Sequence, residues 1–546
     1  MPDDLDLNGD TGRWMKVELV GEVVGGSFER GVGQYPNIED PVHIAVEEDI
    51  RRLYDIREHG HVVIGSLASA ESISARISLN ELVTRHCAVL GSTGSGKSTT
   101  IASLLRAITT SKDPSDSYPN ARILLLDVHG EYSVPLSDVA KVFSVEPQQE
   151  EERLYIPYWA LDSDTLLEFL AGQLEGNSET AFTDKIYELK AASHELLEFP
   201  GIDSSSITVD TPLPFSLAKL WYDLINFEIA TFEGPDRDQP ALLDRGDPDA
   251  LIRPTYKRHG LGSAGPFINQ NAVGIQRQLN LLRSRLLDRR FEFLLHPGPW
   301  KPALDGRSEK DLDALLASWL GGDRPITVLD LSGVPSGVLE QLVGSILKIV
   351  YDALFWSREK SEGGVNRPLL IVMEEAHRYL SDELGGTASA MVQRIVKEGR
   401  KYGVGAMVVS QRPSEVNETV LSQCGTYFAL RLSSPSDRMR VRGTLPDGLA
   451  GLLDVLPILR TGEAIVTGEA AKLPMRCRVA LPSEEHRPRS EDPNVSGNWG
   501  RAKLPEGYDR VVASWRSQSP LAIVESPNID RVPVKDDLME EEETAK

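Results

Sequence analysis

Residues 86–108 read HCAVLGSTGSGKSTTIASLLRAI. A short run of buried-type residues, a glycine-rich turn and a helical pattern follow one another without a spacer. That order predicts a strand feeding a loop that opens a helix. Gly91, Ser92, Thr93, Gly94, Ser95, Gly96, Lys97 and Ser98 fit the phosphate-binding pattern G-x-x-x-x-G-K-[ST], and Thr99 continues into the helix. Glycines let backbone N–H groups turn inward on phosphate oxygens, and the helix N-terminus adds its positive end. Lys97 is placed to reach the outer phosphates of ATP, and the Ser98 hydroxyl to ligate Mg²⁺. The strand before and the helix after supply the context that the pattern needs.

Working outward, RILLLD (122–127), PITVLDL (325–331), PLLIVME (368–374) and VGAMVVS (404–410) are continuous apolar runs, several of them separated by helical patterns. Runs of this kind predict an α/β fold with a parallel sheet covered on both faces. The run LLIVMEEAH ends in two acids. Glu374 is the candidate to hold Mg²⁺ through water, although aspartate is commoner there, and Glu375 to orient or deprotonate the attacking water. DVHGEY places Asp127, His129 and Glu131 at the end of another strand, where alternation would put them on one face. They line the nucleotide site or the magnesium shell, or else His129 holds a structural turn. Gln411, at the tip of the 404–410 strand, is a candidate sensor of the γ-phosphate.

The rest of the chain is organised around this core. VELVGEVVG (17–25), PVHIAV (41–46) and HVVIGSL (61–67) predict short strands of a small β-barrel or sandwich over residues 1–80. A motor domain spans 81–482, interrupted at about 140–320 by a mainly helical insertion. Residues 483–546 read as an extended arm with an acidic tail, DDLMEEEETAK. The arginine-rich stretch QLNLLRSRLLDRR has apolar residues at helical spacing and reads as a packed helix with a basic outer face rather than a pore lining.

The formal net charge of −24 speaks against a protein that coats nucleic acid by bulk charge, but leaves room for a local basic channel. Three widely spaced cysteines argue against a disulfide framework and for a reducing, cytoplasmic setting. No apolar run is long enough to span a membrane, and MPDDLDLNGDTGRW has no signal-peptide character.

The set GSTGSGKS, DVHGEY, EEAH, EGRKYG and SQRP, in this order and preceded by Arg85-His86, resembles the HerA family of hexameric ATPases, relatives of the FtsK translocases. The resemblance covers about residues 15–480. It implies a RecA/FtsK-like P-loop core with an N-terminal barrel of the HerA type, and a homo-hexamer binding ATP and Mg²⁺ between neighbours. It further implies duplex DNA passing through the central pore. In such a ring Arg400 would be the arginine finger reaching into the adjacent subunit's site, with Lys401 or Lys397 sharing or replacing it. Arg400 also fits a helix C-terminus cation favoured by the macrodipole, and both roles are compatible. Arg85 matches a family position tied to nucleotide chemistry. Motors of this family work with an effector, either a NurA-type nuclease in DNA-end processing or a nuclease or sirtuin-like NADase in anti-phage defence. Two other readings stand beside this one: a conjugation-type ATPase, and an ATP-binding ring that scaffolds an effector without moving DNA.

Overall fold

A computed structural model describes residues 17, 19, 21–25, 27–55, 59–110, 117–148, 150–260, 265–381, 386–443, 450–488, 495–500 and 508–517. The chain falls into two compact units, 1–490 and 491–546.

The first unit is built on a 12-stranded sheet. Its strands are β1 (His61–Leu67), β2 (Ala70–Ser78), β3 (Cys87–Leu90), β4 (Ile123–Asp127), β5 (Ala140–Ser144), β6 (Glu152–Arg153), β7 (Ile326–Asp330), β8 (Leu369–Met373), β9 (Val404–Ser410), β10 (Thr426–Ala429), β11 (Glu463–Gly468) and β12 (Met475–Val479). The spatial order is β2-β1-β12-β11-β10-β3-β9-β8-β4-β7-β5-β6. From β10 to β6 every pairing is parallel, whereas β11, β12, β1 and β2 join antiparallel. The parallel strands read as unbroken apolar runs because both faces are covered. Ala88, Leu90, Val408 and Ile371 enter one core, while Val89, Val409 and Val372 enter the other. Helix α1 (Lys97–Thr109) packs on the second face through Ile101, Leu105 and Ile108. Helices α2 (Leu339–Trp356) and α3 (Thr387–Glu398) pack on the first.

The N-terminal expectation changes. Residues 21–24 and 27–30 do form an antiparallel pair, but 41–46 carries no strand. Strands β1 and β2 extend the main sheet through β12, so no barrel closes among the described residues. Val62, Ile64, Ile73 and Ile77 bury their apolar sides in the motor's own core, which is what draws the hairpin onto that edge. The insertion also starts later than 140, since β5 and β6 are sheet strands. Beyond them it is helical over 163–171, 177–197, 217–229, 276–287 and 312–320, with two small strand pairs. In the 276–287 helix Leu279, Leu282 and Leu286 are buried, and Arg285 lies over the rings of Phe169 and Phe291.

In the second unit the described residues hold two short helices, Val495–Trp499 and Asp509–Ser517, rather than an uninterrupted extended arm. The acidic tail lies outside the described residues. Among the described residues no helix is long and apolar enough to cross a membrane.

Candidate nucleotide site

The loop after β3 is shaped by close approach. A Cβ on Gly91 would meet Ser95 Oγ at 2.6 Å and Leu430 Cβ at 2.8 Å. Gly94 and Gly96 take φ of +71° and +96°, a region costly for other residues. Two neighbouring strands hold the loop. From β9, Ser410 O accepts the Gly91 N–H at 3.2 Å, and Gln411 Oε1 accepts the Thr93 hydroxyl at 2.5 Å. From the other side, Arg431 O accepts the Ser92 N–H at 2.8 Å, and Arg431 Nη2 donates to Gly94 O at 2.9 Å. Thr461 Oγ1 adds a bond to Gly94 O at 3.3 Å, and Gly462 N–H donates to Ser95 O at 3.0 Å.

Lys97 opens α1, with Nζ 3.5 Å from Ser92 O. Burial pushes its pKa down, against the pull of Glu375, Glu374 and Glu131. The carboxylates come from β4 and β8, which lie side by side. Glu374 is 3% exposed and lies against Asp127, which is fully buried. Burial lifts Glu374 well above the carboxylate range and Asp127 up to about 6, and the Asp127 charge beside it pushes Glu374 further up. Glu374 Oε2 is buried without a hydrogen-bond partner among the described residues. An orphaned buried carboxyl oxygen, a second carboxyl beside it and the Ser98 hydroxyl at the start of α1 are oxygen donors of the kind a hard divalent cation takes. The residues therefore fit Mg²⁺.

Glu375 follows in a left-handed conformation, φ +45°, a strained position that turns its carboxyl out of strand register. Burial raises its pKa, while Lys97 and the Gln411 backbone N–H draw it down. His377 Nδ1 stands 3.2 Å from Glu375 Oε2 and 3.3 Å from Ser410 Oγ, and burial lowers this imidazole's pKa to about 4. It is therefore neutral near pH 7, and Glu375 Oε2 is buried without a hydrogen-bond partner among the described residues.

Asp127, His129 and Glu131 do not alternate on a strand, because β4 ends at Asp127. The Asp127 carboxylate instead accepts the N–H groups of His129, Gly130 and Tyr132 at 3.2, 2.8 and 2.9 Å. The turn is held by Asp127, and His129 is exposed. Among the described residues no group of three or more His, Cys, Asp or Glu is arranged to hold a metal by itself.

Arg85, Lys397, Arg400 and Lys401 are not brought to this loop. Arg85 precedes β3 and pairs with Glu469 at 3.2 Å. Arg400 and Lys401 lie in the turn Gly399–Tyr402 before β9, and all three cations of that segment are exposed. Since β9 is 7 residues long, they stand roughly 20 Å from Ser410 at strand rise, at the opposite end of the parallel strands. The two cation segments are joined by His86, which is buried at φ +54° and accepts the Ala406 N–H at 3.1 Å through Nδ1. In the sequence His86 and His377 stand out only as members of the Arg85-His86 pair and of EEAH. Nothing local marks Arg431 and Thr461, which reach the loop from the end of β10 and the start of β11.

The description "Helicase HerA, central domain" matches residues 62–350, and "Helicase HerA-like C-terminal" matches 345–481. A probable helicase of Methanocaldococcus jannaschii is 26% identical over 83% of this chain and 76% of its own length. The DNA double-strand break repair helicase HerA of Sulfolobus acidocaldarius is 27% identical over 87% of this chain and 79% of its own. VirB4 of Thermoanaerobacter pseudethanolicus, a solved structure, superposes with a TM-score of 0.49 at 14% identity, over 79% of this chain and all of that one; so remote a likeness carries no argument. With the two family descriptions together spanning the sheet, the loop and both carboxylate strands, the chain belongs to the HerA family.

Proposed function

We propose that this protein is an ATP-hydrolysing motor that works as a ring of six and moves duplex DNA, with an effector such as a nuclease supplying any cleavage. One observation carries the reading. Lys97, Glu374, Glu375 and Gln411 converge on the loop, while the exposed cations Arg400 and Lys401 stand at the far end of the same parallel strands. Arg431 at the loop is tied to Gly94 O; Arg400, exposed and roughly 20 Å away in its own chain, is the arginine a second copy would bring.

In this reading the loop N–H groups and Lys97 bind the phosphates. Glu375, beside neutral His377, orients the attacking water and takes its proton. Gln411, tied to Thr93, registers the outer phosphate. Mg²⁺ would be held by Ser98 and by Glu374 with Asp127 behind it, and supplies neutralisation of phosphate charge. Arg400 of the neighbour stabilises the charge that develops on the transferred group, and Arg85 stands at the same end of the strands to support it. The likeness to relatives named as repair helicases favours DNA as the track.

The test is ATP hydrolysis by wild type and Lys97→Ala, each with and without duplex DNA, together with native mass measurement. Hydrolysis stimulated by duplex, lost in Lys97→Ala, from a six-subunit species is the expected result. A monomer under every condition, or hydrolysis indifferent to duplex DNA, would overturn the motor reading. In the second case an ATP-binding scaffold takes its place.

A further inference from the structure

Tyr132 closes the turn after β4. Its N–H donates to Asp127 Oδ2 at 2.9 Å, and its ring is fully buried in the second core, with Ile101, Leu105 and Leu136. A core position of this kind asks for phenylalanine, because a buried hydroxyl left without a hydrogen bond lowers stability. Tyr132 nevertheless carries one, and its Oη is buried without a hydrogen-bond partner among the described residues. The surroundings of that hydroxyl are not those of an ordinary core tyrosine. Ser98 stands next to it, short of a formed hydrogen bond, and the carboxyls of Glu374, Asp127 and Glu131 lie around it. Burial first, and then those three acids, hold its pKa well above the usual tyrosine range, so the group keeps a proton to donate. Glu374 Oε2, in the same site, is likewise buried without a partner.

We propose that Tyr132 is a positioning residue for the magnesium site, whose Oη accepts the Ser98 hydroxyl proton and donates its own to Glu374. A serine that offers its oxygen to a cation must turn its proton away, and that proton needs an acceptor. Tyr132 supplies the acceptor and passes the bond on to the carboxyl, so one buried side chain orients both oxygen donors. The hydroxyl that is unsatisfied in the empty chain then has its partners when the site is loaded. The proposal rests on the reading of Ser98 and Glu374 as magnesium ligands and adds the residue that holds them in place.

The experiment compares wild type with Tyr132→Phe, which keeps the ring and the N–H bond to Asp127. Three quantities are read: affinity for a fluorescent ATP analogue in EDTA and across a Mg²⁺ series, Mn²⁺ binding to the nucleotide complex by electron paramagnetic resonance, and the thermal melt without metal. Tyr132→Phe should bind the analogue in EDTA as wild type does. It should need about 10- to 100-fold more Mg²⁺ for the half-maximal response, and bind Mn²⁺ correspondingly more weakly, as when a partner behind a metal ligand is removed. Its melt should stand at or above that of wild type, since an unsatisfied buried hydroxyl is gone. Unchanged Mg²⁺ and Mn²⁺ dependence, whatever the melt does, overturns the positioning role and leaves the nucleotide site standing. A variant that melts lower and loses affinity in EDTA overturns it too, because the loop itself has then moved. A wild type that binds the analogue without any response to Mg²⁺, or not at all, overturns the magnesium assignment as well.

Discussion

Removing the Arg400 guanidinium separates two physical accounts of one residue. If Arg400 influenced only its own chain, the interaction would cross roughly 20 Å. At an effective dielectric of about 20, two unit charges at that distance interact by about 0.8 kcal/mol, or about fourfold in rate. Screening by salt, with a Debye length near 8 Å, shrinks even that. If Arg400 instead touches the transferred group on a neighbour, its loss costs about 10³–10⁵ in rate, as arginine fingers do elsewhere. The assay is ATP turnover by Arg400→Ala at a concentration where native mass shows an intact ring. Mixing Arg400→Ala with Glu375→Gln subunits then restores some interfaces that pair an intact Glu375 with an intact Arg400, so turnover should rise above either variant alone. A loss under about fivefold in an assembled ring, or no rise on mixing, refutes action in trans and leaves Arg400 as a cation at a helix end.

Three further outcomes follow from local geometry. Gly403→Ala should lower stability by about 1–3 kcal/mol, read as a fall in the denaturant midpoint, since it combines left-handed strain with a collision at Gly364 O. His86→Leu should cost about 1–3 kcal/mol by the same measurement, because it leaves the buried Ala406 N–H without its acceptor. The Glu374 pKa is raised in the folded state, so its contribution to stability is complete below about pH 4.5 and is lost as pH climbs towards the folded value. Without metal or nucleotide, Glu374→Gln should therefore show a flatter fall of stability between pH 5 and 8 than wild type. The slopes should differ by up to about 1.4 kcal/mol per pH unit. Parallel curves for the two proteins would remove the protonated Glu374 carboxyl from the account.

The nucleotide loop and its sheet were legible in the chain because their signals are local. Gly94 and Gly96 are dictated by backbone conformations only glycine takes cheaply and Gly91 by close approach, and the runs leading to Asp127, Met373 and Ser410 are apolar because both sheet faces are covered. The approach of Lys97 to Glu374 and Glu375 has local signals too, the lysine opening the helix after the loop and the two acids following the end of an apolar strand. The hairpin 61–78 was misplaced for the opposite reason. Alternating strands announce a buried face without naming the partners of the strand, and here the edge partner is β12, some 400 residues further on, with the motor's own core beneath. No spacing rule reveals that Arg431 and Thr461 clasp Gly94 from the ends of β10 and β11, that His377 stands 3.2 Å from Glu375, or that Asp127 and Glu374 lie against each other. Apart from His377, two residues beyond Glu375, these are contacts between residues far apart in the chain, and only packing sets them. The same holds for the cations of KEGRKYG: their residue types are plain in the sequence, but their place at the strand end away from the loop is a property of the folded sheet.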